Sequence, residues 1–215
     1  MTPARCWNIH RLIYWCARRL MLNIGIPGTT FKYSVPQNET FEKPSLIICN
    51  HQSHFDLMCL LIFTPRIIFL TNDWVWKNPV YGAVIRNAEY YPTTLGIDQL
   101  LPKLQSLVER GFHIAVFPEG TRSEDCHIQR FHKGAFHIAQ ALKLDILPMY
   151  LYGTGKVLPK HHYILHKGNM YLEVGKRIMP SEMQLVGDIQ SQASYMRKQY
   201  QNKYQELCNI LDQDA

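Results

Sequence analysis

From residue 45 onward, short apolar runs alternate with stretches whose apolar positions recur at helical spacing. SLIICN (45–50), PRIIFLT (65–71), FHIAVF (112–117) and DILPMYLYG (145–153) have the length and composition of buried strands. Between and after them, HFDLMCLLIF (54–63), a segment near 101–110 and KGAFHIAQALK (133–143) read as helices. In the second of these Pro102 falls in the first turn, where its missing N–H costs little. YILHKGNMYLEV (163–174) reads as a hairpin turning at Lys167-Gly168-Asn169, and about 181–211 as one long polar helix. Ahead of this alternation, residues 5–22 have the pattern of an amphipathic helix with aromatics interleaved. Residues 24–44, punctuated by Gly and Pro, read as a linker with a short strand. The pattern predicts an α/β fold: a mainly parallel sheet flanked by helices, preceded by an N-terminal amphipathic helical segment.

Composition agrees with a folded chain. Of 215 residues, 47% are hydrophobic and 19% charged, which excludes a disordered or fibrous protein. The formal net charge is +6, but it is unevenly placed. Residues 1–38 hold Arg5, Arg11, Arg18, Arg19 and Lys32 and no acidic residue, leaving 18 basic against 17 acidic residues in 39–215. We therefore divide the chain into a basic amphipathic membrane-associating segment, 1–38, and an α/β domain, 39–215. The other reading of 1–38 is a helix packed on the domain with its arginines in water.

No uncharged apolar run reaches the roughly 18–20 residues of a membrane span. Arginines interrupt every stretch that could serve as a signal-peptide core. The six cysteines form no CxxC pair, which points to a reduced protein on the cytoplasmic face of a membrane, peripheral or monotopic. The basic residues match no nucleic-acid-binding motif, so no nucleic-acid partner is expected. There is no HExxH, and His161, His162 and His166 sit among Lys160 and Lys167, so no metal is expected.

The most informative stretch is CNHQSHFDLM (49–58), directly after a strand run. His51 and Asp56 are five residues apart, about 500° of ideal helix, so a continuous helix would not align them. Ser53-x-x-Asp56 resembles a capping box, which puts Asp56 in a first helical turn and His51 on the strand-to-helix turn. There the imidazole can fold back on the Asp56 carboxylate, which fixes its tautomer and leaves the other nitrogen as a base. The bland reading is a capping aspartate beside a surface histidine.

A second cluster, FPEGTRS (117–123), follows another strand run at the end where α/β proteins bind ligands. Gly120 permits a tight turn, Thr121 and Ser123 offer hydroxyls, and Arg122 offers a fork suited to phosphate. Glu119 could pair with Arg122 or bind a hydroxyl. By itself this could be a structural turn with a surface arginine.

NHQSHFD, then FPEGTRS, FHKGAF (131–136) and Pro148 within a strand run together resemble the glycerolipid acyltransferase family over roughly residues 45–155. The best-known members of that family are 1-acylglycerol-3-phosphate acyltransferases. The resemblance implies that His51 and Asp56 are an H-x4-D catalytic pair. It also implies that Glu119, Gly120 and Arg122, with Thr121, bind substrate, and that Pro148 belongs to the last, hydrophobic block.

One block departs. In TNDWVWKNPVYGAVIRNAEYYP (71–92) the Asn-Pro-x-Tyr-Gly part fits, but Asn72 stands where the family carries a lysine. NAEYYP replaces an Asp-Arg element and leaves Arg86 and Lys77 as the nearby cations, so Arg86 joins the substrate-binding set. The implied reaction is acyl transfer from acyl-CoA or acyl-carrier protein, a co-substrate rather than a bound cofactor, to a lysophospholipid hydroxyl. 1-Acylglycerol-3-phosphate is the first candidate acceptor. A lyso-aminolipid acceptor and a non-catalytic lipid-binding relative stay open.

Overall fold

The computed structural model describes residues 3–23, 28–79 and 82–213. In chain order these form helix α1 (Pro3–Leu22), strands β1 (Thr29–Ser34) and β2 (Ser45–Cys49), α2 (Phe55–Leu61), β3 (Ile67–Thr71), α3 (Asp73–Trp76) and α4 (Gly82–Asn87). Then come β4 (Tyr91–Pro92), α5 (Ile97–Glu109), β5 (His113–Val116), α6 (Gly134–Ala141), β6 (Asp145–Tyr152) and α7 (Thr154–Val157). The chain closes with β7 (Gly168–Val174), α8 (Pro180–Val186) and α9 (Ile189–Leu211). The strands make one seven-stranded sheet in the order β1-β7-β6-β2-β5-β3-β4. β2 to β6 run parallel, β7 is antiparallel to β6, and β1 is parallel to β7. The α/β reading and its mainly parallel sheet are therefore observed.

β2 and β5 are buried at every position, as parallel strands covered on both faces require. Two buried polar side chains tie these strands to their surroundings. His113 meets Ser45 Oγ through Nδ1 at 2.9 Å and the Phe41 carbonyl through Nε2 at 2.9 Å. The fully buried Tyr200 of α9 donates to the Ile48 carbonyl at 2.6 Å and accepts from the Met149 amide at 3.2 Å, tying α9 to β2 and β6. Pro148 sits in β6 between two neighbours. Its carbonyl accepts from Gly175 N–H, so its missing donor points to the same side, where the β7 ladder ends at Met149–Val174.

Helix α1 packs on the domain along one face and leaves the other in solvent. One face buries Cys6, His10, Ala17 and Met21, with the His10 ring 4.8 Å from Phe112 and 5.9 Å from Tyr90. Burial pulls the His10 pKa down to about 4, so the ring packs neutral. Glu89 anchors the same end by accepting from Cys6 Sγ–H at 2.9 Å and from both Arg110 terminal nitrogens at 2.6 and 3.0 Å. Arg18 reaches back to the Ile62 carbonyl at 2.8 Å. The other face leaves Arg11, Leu12, Trp15, Arg19 and Leu20 in solvent, at the spacing of a single helical stripe. β1, also within the 1–38 stretch, is an edge strand of the sheet.

Three local expectations are corrected. No hairpin forms over 163–174: β7 begins at Gly168 and finds partners on both sides in β1 and β6, which leaves no edge for YILH. The long C-terminal helix is two. Gly187, at φ 118°, ends α8, and the Asp188 carboxylate caps α9 by accepting the Ser191 amide at 2.8 Å. Finally, α5 starts at Ile97, so Pro102 lies inside it on the exposed side rather than in its first turn. Of the 24–44 linker, residues 24–27 lie outside the described residues.

Candidate active site

β2 does not stop at its last backbone rung. The buried Asn50 side chain donates to the Leu151 carbonyl and accepts the Leu151 amide, both at 2.8 Å, which extends the β2–β6 ladder by one residue. The chain therefore leaves the sheet at a fixed point, and His51 is the first residue beyond it. Asp56, in the first turn of α2, is fully buried. Its Oδ2 accepts three hydrogen bonds: from His51 Nδ1 at 2.8 Å, Gln52 N–H at 2.6 Å and Ser53 N–H at 2.8 Å. The bond from the Ser53 amide to Asp56 is one half of the capping-box pattern, and Ser53 Oγ accepts from Phe55 N–H at 3.3 Å while donating to the Leu158 carbonyl at 2.9 Å.

A carboxylate can only accept, so Nδ1 carries the imidazole proton and Nε2 its lone pair. Among the described residues Nε2 makes no hydrogen bond. The ring stacks on Phe117 at 4.1 Å and 16°, and Phe117 stacks on Phe69 at 5.9 Å. The side chain is 15% exposed, enough for one edge to face solvent.

The second cluster closes around the same residue. Glu119 Oε1 accepts the His51 amide at 2.8 Å, and the Ser123 amide donates to the His51 carbonyl at 2.8 Å. Both backbone groups of His51 thus belong to the loop after β5. Glu119 Oε2 accepts the Gln129 amide at 2.9 Å. Glu119, expected against Arg122 or a substrate hydroxyl, is 4% exposed with both oxygens on backbone amides. Burial pushes its pKa up to about 7, against the two amide donors, with the Asp56 charge adding to the rise.

Gly120 turns the loop at φ 71° beside the His132 ring, and Thr121 is exposed. Arg122 is half-buried and, among the described residues, its guanidinium makes no hydrogen bond or ion pair. It lies close enough to His54 to help lower that imidazole's pKa, after burial and ahead of His51. Arg86 is placed differently. Its Nη1 donates to the Trp76 carbonyl at 2.6 Å and its guanidinium lies 5.5 Å over the Trp76 ring, so it folds back on α3. Asn72 Nδ2 reaches the Gly120 carbonyl at 3.5 Å. Among the described residues no cluster of His, Cys, Asp and Glu is disposed to hold a metal ion.

Comparison with known proteins decides the family. The sequence profile described as Acyltransferase matches residues 30–152, more than half the chain and both clusters. The chain belongs to the acyltransferase family. Among curated relatives, a chloroplastic 1-acyl-sn-glycerol-3-phosphate acyltransferase of Brassica napus is 30% identical over 164 residues, 72% of this chain and 46% of that protein. The 1-acyl-sn-glycerol-3-phosphate acyltransferase of Saccharomyces cerevisiae is 29% identical over 180 residues, 80% of this chain and 57% of that protein. The chain thus spans about half the length of the curated relatives it matches. In fold it resembles the crystal structure of the 1-acyl-sn-glycerophosphate acyltransferase of Thermotoga maritima. The TM-score is 0.75 at 22% identity, covering 92% of this chain and 79% of that one.

Of the residues that fix the histidine, Asn50, Phe117 and, through Glu119, Gln129 had no role in the sequence, and Ser123, noted there for its hydroxyl, acts through its amide. Three of them flank or lie within the motifs, but a backbone amide donor carries no side-chain signature to find it by. The divergent second block supplies α3 and α4, for which no element was expected. Val80 and Tyr81 of its Asn-Pro-x-Tyr-Gly part lie outside the described residues.

Proposed function

We propose that this acyltransferase moves a fatty acyl group from a thioester, acyl-CoA or acyl-carrier protein, to the free hydroxyl of 1-acylglycerol-3-phosphate. The observation that carries this is His51, with Nδ1 held by a buried carboxylate and Nε2 without a partner among the described residues, clasped by the loop that carries the unpaired Arg122. In the proposed reaction His51 Nε2 takes the acceptor's hydroxyl proton as that oxygen attacks the thioester carbonyl. The tetrahedral intermediate collapses to the new ester and a thiolate, which recovers the proton from the imidazolium. Asp56 stabilises the imidazolium without itself becoming protonated.

Transfer is direct. Cys49 and Cys59 are fully buried with thiol pKa values raised by burial, so neither is activated as a nucleophile. Gln52 N–H and Ser53 N–H, just before α2, are committed to Asp56, so neither is free to hold the oxyanion. On the acceptor side, Arg122 with Gly120 and Thr121 forms the phosphate contact. Glu119 acts through the backbone of His51, and Arg86 through Trp76. A lyso-aminolipid is the second reading, because Asn72 and the folded-back Arg86 leave few cations in the divergent block.

Among the described residues no helix is long and apolar enough to cross a membrane. The exposed stripe of α1, with Leu12, Trp15, Leu20, Arg11 and Arg19, supports a peripheral seat on an anionic surface, which we place on the cytoplasmic side. The test crosses acyl-CoA and acyl-carrier protein donors with lysophosphatidic acid and lyso-aminolipid acceptors, with His51→Ala as the control. Transfer to lysophosphatidic acid that His51→Ala abolishes supports the reading. Equal turnover by the variant, or transfer to the aminolipid alone, overturns it.

A further inference from the structure

The parallel strands of the sheet all end on one side, and both clusters of the active site lie there. Two exposed apolar groups lie on that same side, one on each flank of the catalytic turn. After β3, Trp74 of the short helix α3 is 57% exposed. Before β7, which enters the sheet at that side because it is antiparallel to β6, residues 159–167 form a loop with Tyr163 at 96% and Ile164 at 75% exposure, and Leu165 also exposed. In the strand order β3 and β7 each stand two strands from β2, which carries His51. At about 4.8 Å per strand, each flank is about 10 Å from the catalytic strand.

The loop is anchored at its roots and bare at its tip. Ser53, of the catalytic turn, donates to the Leu158 carbonyl, and the His166 amide donates to the Val157 carbonyl at 2.8 Å. Gly153, at φ 81°, is needed where β6 turns into α7: a Cβ there would fall 2.0 Å from the Asn169 carbonyl oxygen. Within the segment itself the charge is of one kind. No acidic residue occurs between Asp145 and Glu173, while Lys160 and Lys167 flank Tyr163-Ile164-Leu165. Lys160 makes one contact with Glu124, at 3.1 Å. Three solvated apolar side chains in a segment without acidic residues suit an anionic lipid surface: the tip enters the headgroup boundary and the exposed Lys167 meets phosphates. A tryptophan on the opposite flank suits the same boundary.

We infer that the active-site end of the sheet is itself a membrane-docking face, with loop 159–167 and Trp74 as two anchors that straddle His51. This deepens the proposed function, since it would deliver an acceptor's hydroxyl to His51 directly from the bilayer. It is separate from the stripe on α1.

The full chain is tested for partition to vesicles of phosphatidylcholine with and without phosphatidylglycerol, as wild type, as Tyr163→Ser/Ile164→Ser/Leu165→Ser and as Trp74→Ala. The triple variant should bind the anionic vesicles about tenfold more weakly, and Trp74→Ala less weakened but measurably so. An Ile164→Trp variant should have its added fluorescence quenched by brominated lipid. Partition needs no turnover, so loss of binding in a chain that transfers no acyl group supports the docking face and overturns only the acyl-transfer reading. Wild-type partition by the triple variant, or no quenching of the added tryptophan, overturns the docking face whatever the activity. Equal weakening of binding to acyl-carrier protein, with vesicle binding intact, assigns the loop to that protein and overturns it too.

Discussion

Replacing Asp56 by Asn and by Ala separates its two jobs. The carboxylate Oδ2 accepts from His51 Nδ1, Gln52 N–H and Ser53 N–H, while Oδ1 is buried with no partner among the described residues. In Asp56→Asn the amide oxygen can take the place of Oδ2 and keep all three bonds, including the one that fixes the imidazole tautomer. The amide NH2 then fills the unpartnered position, at about 1–3 kcal/mol for a buried unsatisfied donor. The fold should survive that, but the imidazolium of the transition state loses its counter-charge. We expect kcat to fall about 10²–10⁴-fold, within the range of general-base catalysis and of the analogous change in the Ser-His-Asp triad. In Asp56→Ala three donors lose their acceptor at once, roughly 3–9 kcal/mol, comparable to the whole stability of many domains at about 5–15 kcal/mol. That variant should be poorly folded. The assay is thiol release from the acyl thioester at saturating acceptor, with circular dichroism and urea midpoints on the same samples. A folded Asp56→Asn protein with kcat within about threefold of wild type would refute the base assignment.

Arg122→Ala should chiefly raise the acceptor KM with little change in the donor KM; an unchanged acceptor KM assigns the guanidinium a structural role. Glu119 gives a pH signature. Its folded pKa, about 7, lies above the ordinary 4.5, so its contribution is fully present below about pH 4.5 and lost as pH rises through 7. Wild type should lose about 3 kcal/mol of unfolding free energy, relative to Glu119→Gln, between about pH 5 and pH 8. Parallel pH slopes in urea denaturation would count against this. Tyr200→Phe removes a buried hydroxyl that serves Ile48 and Met149, and should cost about 1–3 kcal/mol while leaving kcat intact. A loss under about 0.5 kcal/mol shows that water replaces the hydroxyl.

Legibility in the sequence followed the reach of the interactions. The central strands were readable because strands buried on both faces must be apolar at every position, as LIIC and HIAV nearly are. His51 and Asp56 were readable because their bond spans five residues, and the turn that brings them together is written between them. The roles of Glu119 and Ser123 were not, since their partner is the backbone of His51, which has the same chemistry in every residue. The hairpin at 163–174 failed for a related reason: alternation marks a strand but does not say which neighbour it will have. The break in the C-terminal helix was within reach, because Gly187-Asp188 is a stop followed by a cap.

The clasp on His51 has a consequence for how the site comes into being. His51 follows β2, yet its amide and its carbonyl are both held by the loop after β5. A nascent or refolding chain that has closed the local His51–Asp56 turn still has no oriented base until β5 has docked beside β2 and carried Glu119 and Ser123 with it. That step joins residues far apart in sequence and is late by the logic of loop closure. Catalytic competence should therefore appear together with burial of the central sheet in a refolding time course, after any signal from α2 alone. Partly folded molecules would lack the oriented imidazole, so any chemistry of the proposed site waits until the domain is complete.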